Sequence, residues 1–293
     1  MSHYRQYDRA GLDAQYYLRG AVKDFQTYFD RYRTDSDRAK GAFPARLDVP
    51  YGPGGLEQLD IFTTKDHGVP VHVFIHGGYW QAMDKADFDF IAFGFVPKGV
   101  ATVVINYALA PNASMDEIVQ QSRAALAWIW RHAPQFGGDP NRIHLSGHSA
   151  GGHLTALLAM TDWPQFGPGL PRDLIKSGLV LSGLFDLEPI RLCYLNEKLH
   201  LDKDAALRHS PQNLLEKTLT PRTLPPLALA VGGDETDEFH RQQAAFADAA
   251  KATGWSVASH TIPATHHFSI VETLAQPGSI LSELAHTFIR PVK

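Results

Sequence analysis

The pentapeptide Gly-His-Ser-Ala-Gly at positions 147–151 places a single serine among small residues. A short, partly apolar run at 142–146 precedes it, and a run rich in helix formers at 152–160 follows it. When Gly-x-Ser-x-Gly joins a strand to a helix, the chain makes a tight turn that exposes the serine hydroxyl above a sheet. We therefore predict that Ser149 is a nucleophile, in preference to the alternative of an ordinary glycine turn.

A second glycine-rich turn, His-Gly-Gly-Tyr-Trp at 76–80, follows the apolar run 71–75. A serine that attacks a carbonyl group needs hydrogen-bond donors for the oxyanion that develops. Consecutive glycines allow backbone N–H groups to approach a ligand without obstruction by side chains. We expect the N–H groups of Gly77, Gly78 and Ala150 to form this oxyanion hole.

The serine also needs a histidine base and an acid that orients the base, and the acid lies between the other two in the sequence. Two adjacent carboxylates, Asp234 and Glu235, follow the apolar run 227–231. Aspartate is the more usual acid, which favours Asp234. The spacing of three positions from Gly232 favours Glu235. We choose Glu235 and keep Asp234 as the alternative.

The base is expected in the loop after the last predicted strand, where His266 and His267 are adjacent. A histidine at this place takes the proton from the serine hydroxyl during attack and later returns it to the leaving group. One member of the pair is therefore the predicted base. Neither order nor spacing separates the two.

The chain has 15 histidines, which raises the alternative of a metal site. His72, His76 and His148 lie in or near the motifs above, but none of them belongs to an His-Glu-x-x-His or His-x-x-Glu-His sequence. His76 and His148 also belong to the two glycine turns, which gives each of them another explanation. We expect no metal and no other cofactor.

Three aromatic residues, Tyr79, Trp80 and Tyr107, lie next to these motifs. Aromatic rings in a pocket wall would stack on an aromatic leaving group of the substrate. The alternative is that the three rings fill the core. The sequence favours neither, and we keep them as candidate substrate-pocket residues.

Apolar, β-branched runs alternate along the chain with helical patterns, which indicates an α/β fold with a mostly parallel, doubly wound sheet and helices on both faces. The expected strands are 71–75, 101–105, 142–146, 179–181, 227–231 and 255–262, with an antiparallel hairpin at 46–49 and 58–62, and the expected helices are 22–32, 84–95, 115–132, 152–160, 238–253 and 280–289.

No internal repeat and no clear linker divides the sequence, so we expect residues 1–293 to form one domain. Residues 1–45 are charged and aromatic and are expected to form a helical arm packed on that domain, with a part in the wall of a substrate pocket as the alternative. The stretch 186–224 is long for a simple connection. We interpret it as a small helical cap inserted over the site, with a surface excursion as the alternative.

The formal net charge is −4 and no block of like charges occurs, which argues against nucleic acid or an anionic membrane as the main partner. No apolar run is long enough to span a bilayer. The single cysteine, Cys193, excludes an internal disulfide and fits a reducing compartment. The N-terminus lacks the apolar core of a signal peptide. We expect a cytoplasmic protein with a small-molecule substrate, and the choice between monomer and homo-oligomer stays open.

Five segments together resemble kynurenine formamidase (arylformamidase), an α/β-hydrolase family related to the hormone-sensitive-lipase-like esterases. They are HGGYWQ at 76–81, NYALAP at 106–111, GHSAG at 147–151, SGLFDLEP at 182–189 and EFHRQ at 238–242. The first and third segments alone indicate the wider esterase group, and the last two are more particular to the family. The likeness extends from about residue 70 to residue 275.

This resemblance implies an α/β-hydrolase fold in which Ser149 attacks the formyl carbonyl of N-formyl-L-kynurenine or a related aryl formamide and releases formate. The family's base directly precedes a phenylalanine, which favours His267. Its acid lies four residues before the phenylalanine of the EFHRQ segment, which again gives Glu235, where other members carry aspartate. The resemblance therefore implies a triad of Ser149, Glu235 and His267.

Two other functions remain as alternatives. One is a carboxylesterase of the same fold that acts on small acyl or aryl esters. The more remote one is a non-catalytic binding protein that keeps the fold, against which the complete set of serine, acid, histidine and glycines argues.

Overall fold

The computed structural model describes residues 4–215 and 224–289, and an eight-stranded sheet lies at their centre. The strands are β1 (Ala45–Pro50), β2 (Gln58–Phe62), β3 (Val69–Ile75), β4 (Ala101–Ile105), β5 (Gly138–His148), β6 (Ile175–Leu181), β7 (Leu227–Gly232) and β8 (Val257–Ile262). Their spatial order is β1-β2-β4-β3-β5-β6-β7-β8. The β1–β2 and β2–β4 pairs are antiparallel, and the remaining pairs are parallel.

Helices precede β1, connect the strands from β3 onward and follow β8. They are α1 (Arg9–Tyr16), α2 (Leu18–Ala21), α3 (Phe25–Ala42), α4 (Ala92–Phe95), α5 (Met115–His132), α6 (Ala150–Ala159), α7 (Trp163–Phe166), α8 (Glu188–Leu192), α9 (Asn196–Leu199), α10 (Lys203–Arg208), α11 (Pro211–Leu214), α12 (Asp237–Ala252), α13 (Ser269–Ala275) and α14 (Ile280–Ile289). In the two described ranges, no helix combines the length and the apolarity needed to cross a bilayer.

Helices cover both faces of the sheet. The evidence is that successive residues of one strand belong to two different hydrophobic clusters, each of which includes helix residues. Val73 of β3 belongs to the same buried cluster as Ile118 of α5. The next residue, Phe74, belongs to a cluster with Ile270 of α13 and Leu281 of α14. Strands buried on both faces favour apolar side chains, which explains the composition of β3, where His72 is the one polar residue.

The predicted fold class is confirmed, since the sheet is mostly parallel and its two faces are covered. The helix predicted over 115–132 has those bounds, and the hairpin at 46–49 and 58–62 is antiparallel as expected. The helix predicted over 22–32 is displaced, because α3 begins and ends later in the chain.

The helix predicted over 84–95 is wrong. The chain there forms separate 3-10 turns at Lys85–Asp87 and Asp89–Ile91 and one turn of α4. Phe88, between the two 3-10 turns, has φ −124° and ψ 8°, which breaks the helical run. Phe88 and Phe90 are buried in the core. Because this stretch has few strong helix formers, the packing of its aromatic rings determines its backbone.

The predicted N-terminal arm, 1–45, forms α1, α2 and α3 in the part of it that the structure describes. The hydroxyl group of Tyr16, the last residue of α1, donates a hydrogen bond of 2.9 Å to Glu238 of α12. The hydroxyl group of Tyr32 in α3 donates to the backbone carbonyl of Phe268. Two buried tyrosines thus join the arm to the segments that follow β7 and β8.

The predicted cap, 186–224, contains α8 to α11, and its residues 216–223 lie outside the described residues. The side-chain oxygen of Gln242 in α12 accepts hydrogen bonds from the backbone N–H groups of Phe185 and Asp186, at 2.7 and 2.8 Å. These bonds hold the start of the segment against α12. Its function as a cap remains a prediction.

A buried ion pair joins the β1–β2 hairpin to the segment that follows the glycine turn. The ammonium group of Lys85 lies 2.9 Å from Asp60 and 2.6 Å from Asp48. Lys85 is 3% exposed and Asp60 is 1% exposed, whereas the Asp48 side chain is 67% exposed. Because Asp60 is withdrawn from water, its charge depends on Lys85 for compensation.

We expect Lys85→Met to lower the free energy of unfolding by about 3 kcal/mol, because it leaves a buried carboxylate without its partner. The matched control is Lys98→Met, whose partner Glu283 has a 59% exposed side chain. Exposed pairs of this kind contribute less than about 1 kcal/mol. Urea unfolding of the three proteins measures the difference, and equal losses in both variants would contradict the structural role of Lys85.

Candidate active site

Ser149 lies at a strained turn between β5 and α6, with φ 57° and ψ −116°. The glycines on either side of it have no room for a side chain. A Cβ atom on Gly147 would lie 2.2 Å from the carbonyl oxygen of Gly151, and one on Gly151 would lie 2.0 Å from that of Ile75. The sequence therefore folds into the tight turn that the pentapeptide predicts, with Ser149 at its apex.

The second glycine turn lies against this serine. A Cβ atom on Gly77 would be 3.1 Å from the Cβ atom of Ser149, and Gly78 has a φ of +105° that favours glycine. Within the described part of the chain, the backbone N–H groups of Gly77, Gly78 and Ala150 donate no hydrogen bond to another protein group. These three donors are thus available to a ligand.

A network of buried polar groups holds the glycine turn. Nδ1 of His76 donates to the carbonyl oxygen of Gly77 at 2.8 Å, and its Nε2 lies 2.9 Å from the side-chain oxygen of Asn106. The amide nitrogen of Asn106 donates to Asp84 at 2.7 Å. Because the carbonyl of Gly77 and the N–H of Gly78 belong to one peptide group, His76 also fixes the direction of that N–H.

Glu235 and His267 form a direct pair. Oε2 of Glu235 lies 2.7 Å from Nδ1 of His267, and their side chains are 0% and 4% exposed. The other carboxylate oxygen of Glu235 accepts hydrogen bonds from the backbone N–H of Gly232, at 2.7 Å, and from the hydroxyl of Ser182, at 2.5 Å. The carboxylate is held from both sides, and it orients the imidazole of His267.

The two competing residues lie elsewhere. Asp234 is exposed, and its backbone N–H donates to the carbonyl of Thr265. Nδ1 of His266 accepts from the N–H groups of Phe268 and Ser269, at 3.2 and 3.3 Å, which is a cap for the start of α13. The structure thus brings Glu235 and His267 together and gives the neighbouring acid and histidine other positions.

Two contacts at this site had not been inferred from the sequence. Ser182 supplies a donor to Glu235, and His148 donates from Nε2 to the backbone carbonyl of His267 at 2.8 Å. Burial, with the nearby imidazole of His267, holds the pKa of His148 well below its usual range. His148 is therefore neutral and positions the backbone of His267. The sequence offers a signal for each: His148 directly precedes Ser149, and Ser182 directly follows the end of β6 and begins the SGLFDLEP segment.

Ser149 and His267 line one cavity of about 270 Å³. Both are nearly buried, at 2% and 3% exposure, so they lie at the inner part of the cavity. Its wall is rich in aromatic rings, contributed by Tyr17, Phe29, Tyr32, Tyr79, Phe88, Tyr194 and Phe268. A concave, mostly apolar pocket of this size accommodates a small organic substrate.

Of the three aromatic residues predicted for the pocket wall, only Tyr79 lines this cavity. Trp80 is fully buried and packs edge-on against His153, with ring centroids 4.9 Å apart. Tyr107 is also fully buried, stacks on His76 at 4.4 Å and donates to its backbone carbonyl. These two rings belong to the core and support the glycine turn from behind.

The N-terminal arm supplies much of the remaining wall. Tyr17, Leu18, Arg19, Phe29 and Tyr32 all line the cavity. This agrees with the alternative considered for the arm, a part in the wall of a substrate pocket, for which the only sequence signal is the density of aromatic residues in the first 45 positions. No motif there points to a site, because the contribution depends on how the arm packs.

The histidines considered above as metal ligands are His72, His76 and His148. Across residues 4–215 and 224–289, no group of three or more histidine, cysteine or acidic side chains is arranged to hold a metal ion. His72 contacts the hydroxyl of Ser146 at 2.7 Å, and His76 and His148 have the partners described above. These imidazoles are engaged in bonds within the protein.

Comparison with known proteins finds relatives that are named as hydrolases. The BD-FAE family model matches residues 59–167. Kynurenine formamidase of Salmo salar is 35% identical over 252 residues, which cover 85% of this chain and 83% of that protein. Carboxylesterase NlhH of Mycobacterium tuberculosis is 29% identical over 227 residues, 72% of this chain and 70% of its own. The crystal structure of a protein from Silicibacter sp. TM1040, described as a thioesterase, superposes on this chain with a TM-score of 0.82 and 31% identity, covering 94% of this chain and 98% of that one.

The fold, the serine at the tight turn between β5 and α6, and these relatives define the protein as a serine hydrolase of the α/β-hydrolase fold. Identity above 30% over most of both chains narrows the class. The chain belongs to the kynurenine formamidase family.

The geometry around Glu235 leads to a test of the two acids. We expect Glu235→Gln to lower kcat roughly a thousandfold or more, because an amide in place of the carboxylate no longer stabilises the imidazolium of His267. Asp234→Asn is the matched control, and its kcat should remain near that of the wild type because its side chain is exposed. Steady-state kinetics on one acyl substrate measures both. A larger loss in the Asp234 variant would reverse the assignment.

Proposed function

We propose that this protein hydrolyses the formyl amide of N-formyl-L-kynurenine or a related aryl formamide and releases formate. The observation that carries the proposal is that His267, hydrogen-bonded to Glu235, lines the same aromatic cavity as Ser149. Membership of the kynurenine formamidase family supports the choice of a formamide. The aromatic wall suits an arylamine leaving group.

The reaction begins with Ser149. His267 accepts the hydroxyl proton through Nε2, since Nδ1 is bonded to Glu235, and the serine oxygen attacks the formyl carbon. Glu235 keeps the imidazole in the required tautomer and stabilises the charge that it gains. A tetrahedral intermediate with an oxyanion follows.

The oxyanion is held by the N–H groups of Gly77, Gly78 and Ala150, which have no other protein acceptor in the described residues. One well-placed donor of this type stabilises the transition state by about 3 kcal/mol. His76 and Asn106 keep the glycine turn in place during the reaction. The donors therefore need no rearrangement when the charge develops.

The intermediate collapses when His267 gives its proton to the nitrogen of the leaving arylamine, and the C–N bond breaks. This leaves a formyl ester on Ser149. Water then attacks that ester with His267 as the base, and formate is released. One formamide and one water thus give one amine, one formate and one proton, and the serine oxygen regains its hydrogen from His267.

A second candidate function is that of a carboxylesterase for small acyl or aryl esters. The observation in its favour is the likeness to carboxylesterase NlhH over 72% of the chain. The triad and oxyanion donors would act in the same way on an ester carbonyl. The two candidates differ in the leaving group, which is an arylamine in one and an alcohol or phenol in the other.

The ratio of kcat/KM for N-formyl-L-kynurenine to that for p-nitrophenyl acetate distinguishes the two. We expect the formamide to be favoured, although the nitrophenyl ester is chemically far more reactive. A ratio that strongly favours the ester would replace the formamidase proposal with the carboxylesterase.

The control for that measurement is Ser149→Ala, which removes the attacking oxygen. It should reduce the turnover of both substrates to the residual rate that binding and the oxyanion donors alone provide. Unchanged turnover of either substrate by this variant would exclude the serine mechanism for that substrate.

A further inference from the structure

The charged side chains of the cavity are of one sign. Arg19 and Lys198 line it, and no aspartate or glutamate is among the described residues of its wall. This stands out in a chain whose formal net charge is −4. Arg19 and Lys198 are exposed, whereas Ser149 and His267 are nearly buried. The cations therefore mark the outer part of the cavity and the reacting groups its inner part.

The guanidinium group of Arg19 lies beside aromatic rings. Its central carbon is 5.5 Å from the ring centroid of Phe25 and 5.7 Å from that of Phe29, and Phe29 is itself part of the cavity wall. Contacts of this kind orient an exposed arginine without neutralising its charge. Among the residues that the structure describes, Arg19 forms no ion pair.

Lys198 lies in α9, which is far from the N-terminal arm in the sequence but contributes to the same cavity wall. The neighbouring acids have other partners, since Glu197 pairs with Arg9 at 3.4 Å and Asp13 pairs with Arg9 at 3.0 Å. Asp13 also accepts the backbone N–H of Tyr194. In the described ranges no carboxylate pairs with Lys198.

We propose that Arg19 and Lys198 form the subsite for a carboxylate of the substrate, a group that N-formyl-L-kynurenine carries away from its scissile bond, and that these two side chains determine the preference for anionic substrates. The inference rests on the proposed function for the scissile formamide. The carbonyl would lie at Ser149, the ring between the aromatic walls, and the carboxylate at the outer cations. Guanidinium and ammonium groups are the side chains that bind carboxylates through charged hydrogen bonds.

The test uses two pairs of substrates that differ only in a carboxylate. The formamide pair is meta-formamidobenzoate and formanilide, and the ester pair is meta-acetoxybenzoate and phenyl acetate. For each pair, the ratio of kcat/KM for the anionic to the neutral member is measured with one preparation. Such a ratio is independent of the fraction of folded enzyme, so a partly misfolded variant does not confuse the result.

We expect the wild type to favour the anionic member of each pair. Arg19→Gln and Lys198→Gln should each lower the ratio by about threefold to tenfold, and the double variant by more, since charged hydrogen bonds at an exposed site contribute modestly. The loss should appear mainly in KM, and the wild-type preference should decrease with added salt.

The matched controls are Arg172→Gln and Lys23→Gln, which remove exposed cations that do not line the cavity. They should leave both ratios unchanged. Equal ratios in the wild type and in the Arg19 and Lys198 variants would overturn the subsite. If formamides are not cleaved at all, the proposed function fails while the ester pair still tests the subsite.

Discussion

The site depends on the burial of one carboxylate, that of Glu235. A charged group withdrawn from water is destabilising by several kcal/mol unless hydrogen bonds and a partner compensate it. Here the compensation comes from three parts of the chain: Gly232 at the end of β7, Ser182 after β6, and His267 after β8. These groups reach Glu235 only when the three neighbouring parallel strands are paired in the observed register. The sheet and the site thus stabilise each other.

The same edge of the sheet holds the other residues of the proposed site. Ser149 follows β5 and the glycine turn follows β3, and these strands are adjacent and parallel. Parallel strands end at a common edge, so residues far apart in sequence become neighbours. Behind this edge, Trp80 and Tyr107 fill the core and His76 fixes the glycine peptide. Contacts within the protein therefore hold the turn, which is the arrangement that electrostatic stabilisation of an oxyanion requires.

The sequence could predict the features that depend on local pattern. Glycines and their neighbours determine the tight turn at Ser149 and the turn at 76–80. Apolar runs that alternate with helical patterns determine the sheet. Glu235 could be preferred to Asp234 only by its spacing from Gly232 and from the EFHRQ segment of the family resemblance, because which carboxylate turns inward depends on β7 and its partners. The aromatic wall from the N-terminal arm had no motif, since packing alone brings it to the cavity. For the same reason, the sequence could not tell Tyr79 in the wall from Trp80 in the core.

The central claim is that Ser149 is a nucleophile activated by His267, which Glu235 orients. The most direct measurement is covalent labelling with a small fluorophosphonate, followed by mass spectrometry of the digested protein. We predict a single adduct on the peptide that contains Ser149, formed quickly by the wild type and far more slowly by His267→Ala. An adduct on another residue, or undiminished labelling of Ser149 in the histidine variant, would contradict the account.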